Sequence, residues 1–151
     1  IGVTPDLSIF EDILDCDENG ITVDEFNETS ISHIYAAGDC ARWHDPISNE
    51  MIRVEHWDHA FNHGRNAALN IIEPKSVSFN KKPYFWSDQY DLNLEYLGHP
   101  VAWDKTVLRG DRENNKFVVY YLNKNKLVGA FFVNSSKEVK EVRKVLGKDF
   151  E

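Results

Sequence analysis

Apolar and polar positions follow two different rhythms along this chain, and the change between them divides it. In the first half, apolar residues at 7, 9, 10, 13 and 14 predict a short helix over Leu7–Leu14. Asp17-Glu18-Asn19-Gly20 is a turn cluster, and Ile21-Thr22-Val23 is a short β-like run. Residues 29–38 read Thr-Ser-Ile-Ser-His-Ile-Tyr-Ala-Ala-Gly, which predicts a buried strand ending on small residues. A loop is expected over Trp43–Met51. A helix should then run from about Glu55 to Ile72, with Ala60, Gly64, Ala67, Ala68 and Ile71 on one small-residue face.

Pro74–Pro83 is polar and lysine-bearing, the expected domain boundary. Beyond it, Leu92–Leu97, Thr106–Arg109, Lys116–Leu122 and Leu127–Val133 are short aromatic or β-branched runs, and Asn123-Lys124-Asn125-Lys126 reads as a hairpin loop. Ser135 or Ser136 is placed to cap a last helix with Val139, Val142, Val145 and Leu146 as its apolar stripe. The second half is therefore expected to be a small antiparallel sheet closed by one helix, an α+β unit.

Composition narrows the function classes. A chain of 151 residues with 42% hydrophobic positions holds one domain, or one small domain and a piece of another. Its net charge of −8 disfavours a nucleic-acid partner, since no excess of basic side chains is present to displace counterions. No apolar run approaches the roughly 20 residues of a membrane span, and no signal peptide is visible. Cys16 and Cys40 form neither a disulfide framework nor a metal knuckle, which fits a reducing, cytoplasmic setting. The first residue is Ile1 rather than Met, from which further sequence upstream is expected.

The most informative stretch is Thr29-Ser30-Ile31-Ser32-His33-Ile34-Tyr35-Ala36-Ala37-Gly38-Asp39-Cys40-Ala41. Read from the residues, it delivers a carboxylate at the C-terminal end of a strand through small residues. Ligands bind at that end of an open α/β sheet, and glycine lets backbone approach them closely. A strand-end acid by itself is weak evidence, since a cap or turn aspartate is the commoner case.

The whole string resembles the second FAD-binding motif of the flavoprotein reductases that have two dinucleotide-binding domains. Three further strings resemble the ferredoxin, rubredoxin and putidaredoxin reductase group, which also includes apoptosis-inducing factor. Ile1-Gly2-Val3-Thr4-Pro5-Asp6 looks like the segment closing the NAD(P)H domain. Arg53-Val54-Glu55-His56-Trp57-Asp58-His59-Ala60 looks like the start of the following helix. Pro83-Tyr84-Phe85-Trp86-Ser87-Asp88-Gln89 looks like a C-terminal-domain segment passing the flavin ring.

The resemblance implies an α/β FAD-binding domain, present as its C-terminal fragment, followed by the α+β interface domain. Residues 1–78 would be the end of the NAD(P)H domain and part of the FAD domain, and residues 79–151 the interface domain. It also implies that Asp39 binds the ribityl chain of FAD and that Gly38 allows the approach. Glu55, His56 and Trp57 at the helix start, and Trp86, are its other cofactor contacts. A helix start directs its amides and positive dipole end outward, suited to a reduced flavin's charge. Hydride transfer to FAD requires no acid or base here, so no catalytic residue is assigned.

Electrons would pass from NAD(P)H through FAD to a small iron–sulfur protein or rubredoxin. A homodimer formed through an exposed edge is a further expectation. The Gly-x-Gly-x-x-Gly fingerprints that hold the FAD pyrophosphate and NAD(P)H in this family do not occur in the chain. The isolated chain is therefore expected to bind FAD weakly or not at all and to be inactive. The alternative function, of a different class, is a non-catalytic interaction or dimerisation module.

Other signals carry less. His56, His59 and His63 share a helical spacing that suggests zinc, but the flavoprotein resemblance accounts for the same segment and a solvated histidine face is the expectation. Asp15-Cys16-Asp17-Glu18-Asn19-Gly20 imitates the opening of a calcium loop, yet its twelfth position is Phe26. Cys40 has no Cys-x-x-Cys partner and is read as a structural thiol. The chain end lacks the histidine of the disulfide reductases, which argues against that branch.

Overall fold

The computed structural model describes residues 4–150, so the Ile1–Val3 part of the first motif lies outside the described residues. The chain forms two compact units. One holds the described residues through Asp45 together with Asn49–Lys81, and the other holds Pro46–Ser48 and the described residues from Lys82 onward.

The first unit contains four short strands, β1 (Cys16–Asp17), β2 (Gly20–Thr22), β3 (Ala41–Asp45) and β4 (Glu50–Arg53), and helix α1 (Trp57–Ile72). The strands lie in sequence order, with β2 and β3 parallel and the outer pairs antiparallel. The Asp17–Gly20 turn forms as its composition predicts, and Asp17 Oδ1 accepts the Asn19 amide at 2.7 Å.

Several expectations for this unit are corrected. Residues 7–14 form successive turns rather than a helix, with the Phe10 amide on the Leu7 carbonyl and the Leu14 amide on the Phe10 carbonyl. Leu7 and Leu14 are buried while Ile9 and Ile13 face solvent, so the apolar count overstated the helical face. Residues 29–38 make no strand. They form a turn followed by an extended segment, tied by a single bridge between Glu28 and Tyr35. A strand requires a ladder partner, and among the described residues no named strand pairs with this segment; Ile31 and Ile34 are exposed accordingly. The expected loop over Trp43–Met51 is instead the β3–β4 hairpin, whose alternation turns Ala41, Trp43 and Asp45 inward.

Helix α1 starts at Trp57, because Glu55 and His56 are not helical and His56 takes the N-cap with its Nδ1 accepting the Asp58 amide at 3.2 Å. Its buried face is also not the small-residue face expected. Ala67 is buried, but Ala68 and Ile71 are exposed and the space around Gly64 is open. The buried positions are His59, His63, Asn66 and Asn70 beside Ala67, so the histidine face is interior rather than solvated. Trp43 stacks on His59 at 4.5 Å and 16°, and Phe79 closes on His63 at 4.5 Å. Asn70 clamps the returning chain by accepting the Val77 amide and donating to its carbonyl, at 3.1 and 2.8 Å.

The second unit is a five-stranded antiparallel sheet in the order β5 (Tyr84–Gln89), β6 (Leu92–Gly98), β9 (Lys126–Val133), β8 (Lys116–Asn123) and β7 (Lys105–Asp111). Four of these strands lie where the β-branched and aromatic runs place them. Lys124 and Asn125 both have positive φ, 49° and 63°, so the β8–β9 connection is a two-residue turn of the twist that hairpins favour. Helix α2 (Ser136–Val145) buries Val139 and Val142, and Leu146 beyond its end, in one core with Leu97, Val118, Leu122 and Phe132; Val145 is exposed. Ser135 occupies the N-cap position but donates its hydroxyl to the Val133 carbonyl instead of capping. Among the described residues no helix is long and apolar enough to cross a membrane.

Candidate functional site

The chemistry in the first unit gathers around a single turn. After extended Ala37, Gly38–Cys40 make one turn of 3-10 helix, closed by the Ala41 amide on the Gly38 carbonyl. Gly38 has φ +78°, and a Cβ there would meet the Cβ of Ala60 at 3.3 Å. Both conditions favour glycine: the left-handed backbone and the close seat on α1.

Asp39 stands at the middle of this turn, exposed, and its carboxylate has no partner among the described residues. The backbone around it is held from both sides. The Gly38 amide donates to His63 Nδ1 at 3.2 Å, and Arg53 Nη1 donates to the Asp39 carbonyl at 3.0 Å. Arg53 is itself anchored by Glu55 at 2.6 Å. An exposed carboxylate on a fixed backbone, with its oxygens uncommitted, is suited to accept hydrogen bonds from hydroxyl groups.

The N-terminus of α1 completes this side. His56 caps it, and Asp58 in the first turn is paired with Lys81 at 2.9 Å. Trp57 is 68% exposed and stacks on Phe61 at 5.5 Å and 12°, giving a flat aromatic surface to solvent. Thus Gly38, Asp39, Glu55, His56 and Trp57 belong to one unit, and Arg53 links Glu55 to Asp39 directly. Trp86 belongs to the second unit, on β5, 40% exposed and tilted against Tyr84 at 5.9 Å.

Arg53 and His63 stand in segments the sequence singles out, but their roles in holding the Gly38–Asp39 backbone are not legible there. His63 is fully buried, and burial together with the nearby His59 pushes its pKa down to about 3. The spacing 59, 63, 66, 70 is a helical stripe, but its residues are polar, so hydrophobic periodicity passes over it. Among the described residues no group of three His, Cys, Asp or Glu side chains is disposed to hold a metal ion.

Comparison with known proteins adds the family frame. Residues 1–64 match the pyridine nucleotide-disulphide oxidoreductase family, and residues 84–151 match the reductase C-terminal family. The chain is 38% identical over 121 residues to the 5,5'-dehydrodivanillate O-demethylase ferredoxin reductase subunit of Sphingobium sp., covering 80% of this chain and 29% of that protein. It is 35% identical to the monodehydroascorbate reductase of Pisum sativum, covering 96% of this chain and 35% of that one. Among solved structures, the ferredoxin reductase for the CYP199A2 system from Rhodopseudomonas palustris superposes with a TM-score of 0.88 at 31% identity, over 99% of this chain and 37% of the other. The chain spans about a third of the length of these relatives.

Proposed function

Because this chain belongs to the FAD-dependent pyridine nucleotide oxidoreductases and carries their reductase C-terminal domain, we propose that it supplies the flavin end of a reductase passing electrons from NAD(P)H through FAD to a small redox protein. The observation that carries this reading is the Gly38–Asp39 turn: a fixed backbone presenting one exposed, uncommitted carboxylate. Bound FAD would supply hydride acceptance and release of electrons one at a time. The protein's part is to bind and orient it.

Asp39 accepts hydrogen bonds from the ribityl hydroxyls, and Gly38, left-handed and seated against Ala60, shapes the turn that presents it. Glu55 acts through Arg53, holding the Asp39 carbonyl. His56 fixes the first turn of α1, and Trp57 and Trp86 offer flat faces for the isoalloxazine. Residues 1–78 supply the end of the NAD(P)H domain and part of the FAD domain, and residues 79–151 supply the interface domain. The pyrophosphate and nicotinamide sites are contributed by sequence outside this chain, in a cytoplasmic enzyme.

The ferredoxin reductase relatives support a small iron–sulfur protein as acceptor. The pea relative's name supports a second acceptor, monodehydroascorbate. The test is purification of the complete protein that contains this segment. One flavin per chain, and NAD(P)H-dependent reduction of a small ferredoxin in preference to monodehydroascorbate, is the expected result. A colourless complete protein that takes up no FAD contradicts the reading. The 151-residue chain alone is expected to hold little flavin or none.

A further inference from the structure

His63 sits at the centre of the first unit, and its surroundings are unusual for a histidine. Its ring is packed between Phe79 at 4.5 Å, His59 at 4.7 Å and Trp43 at 5.3 Å, which fixes the plane of the imidazole. Its Nδ1 accepts the Gly38 amide at 3.2 Å. An amide donor needs a lone pair, so the ring is neutral and carries its proton on Nε2. That Nε2–H is buried with no partner among the described residues. Leucine or phenylalanine would fill this space without leaving an orphaned donor. The one thing they cannot supply is the acceptor at Nδ1.

We propose that His63 is a positioning residue: its buried Nδ1 holds the Gly38 amide and thereby fixes the turn that aims the Asp39 carboxylate at a polyhydroxyl ligand. This rests on the flavin reading of Asp39. Gly38 has a left-handed backbone, and the bond lies on the N-terminal side of Asp39 while Arg53 holds the carbonyl on the other. With both sides anchored, the carboxylate is the part of Asp39 left to a ligand. The strongly lowered pKa of His63 keeps the acceptor lone pair available across the physiological range.

Two substitutions separate positioning from packing. Asparagine places its Oδ1 where His63 has Nδ1, so His63→Asn keeps the acceptor and loses the ring. His63→Leu keeps most of the volume and loses the acceptor. A packing role predicts that leucine is the better replacement; positioning predicts asparagine.

The experiment measures FAD affinity in the complete apoprotein carrying Asp39→Asn, His63→Asn or His63→Leu. Expected are losses of about tenfold or more for Asp39→Asn and His63→Leu, the scale of one charge-assisted or buried hydrogen bond, with His63→Asn within a few-fold of the parent. Loss in Asp39→Asn with leucine equal to or better than asparagine at 63 overturns the positioning role and leaves the flavin reading standing. Unchanged affinity in Asp39→Asn overturns the flavin reading and the role built on it. Nitrogen-15 NMR of the parent's His63 ring decides even where a variant fails to fold. An unprotonated Nδ1 coupled to the Gly38 amide supports the role, and a protonated Nδ1 overturns it.

Discussion

Helices α1 and α2 bury opposite kinds of side chain. Helix α2 follows the usual rule, with Val139 and Val142 inside and its lysines and glutamates in water. Helix α1 inverts it: His59, His63, Asn66 and Asn70 are buried, while Trp57, Phe61, Leu69, Ile71 and Ile72 are exposed. Around α2 the packing is apolar: Val139 and Val142 share one core with Leu97, Val118, Leu122 and Phe132, and apolar burial accounts for it. Around α1 the buried amides and imidazoles work by naming partners. Asn70 and Asn66 hold Val77, and His63 holds Gly38. An apolar core specifies that a face is covered; a polar one specifies which backbone atoms cover it. The difference suits a unit that must hold a turn in one geometry rather than simply exclude water.

The comparison can be broken by substitution. The largest effect is expected in the apolar core, where Phe132 is fully buried. Phe132→Ala should cost about 3–5 kcal/mol, read as lost amide-exchange protection across β8 and β9. Asn70→Ala should cost about 1–3 kcal/mol by leaving both Val77 backbone groups without it, seen as faster exchange at the Val77 amide. If Asn70→Ala were neutral, the polar core would be packing only, and the contrast between the helices would disappear.

A smaller, pH-dependent effect follows from His63. Its folded pKa of about 3 lies below the ordinary histidine value of 6.5. Between those values the unfolded chain takes a proton that the folded chain refuses, so the stability it supports is full above pH 6.5 and falls as the pH drops. The slope approaches about 1.4 kcal/mol per pH unit. Residues 1–45 and 49–81 carry 15 Asp and Glu against 5 Lys and Arg, and those carboxylates titrate in the same region. The difference between the parent and His63→Leu, measured by urea unfolding from pH 7 to 5, isolates the histidine. Smallest of all, Lys144→Ala removes an exposed i,i+3 pair with Glu141 and should change stability by less than about 0.5 kcal/mol.

Legibility in the sequence followed the same divide. Four strands of the second unit are readable as aromatic or β-branched runs set apart by turn residues, of which Lys124 and Asn125 take positive φ. Strand β5 was visible only through the resemblance of its motif, since it is mostly exposed and lacks a clean alternation. In the first unit the sequence singles out Gly38 and Asp39 as candidates, but the strand expected before them does not form, because a strand depends on a neighbour that local pattern does not reveal. The β3–β4 hairpin is hard to read because its strands are short and the inward row of β3 ends on a charged residue, Asp45. His63 and the asparagines were invisible to any scale that counts them as surface residues.

The central claim is that Asp39, on its fixed turn, is the carboxylate that receives the ribityl chain of FAD. The most direct measurement is a crystal structure of the complete protein with FAD bound. The account predicts an Asp39 carboxylate oxygen about 2.5–3.0 Å from a ribityl hydroxyl, with the Gly38 amide still on His63 Nδ1. A bound flavin whose ribityl hydroxyls are met by other side chains, with Asp39 turned to solvent, would contradict it.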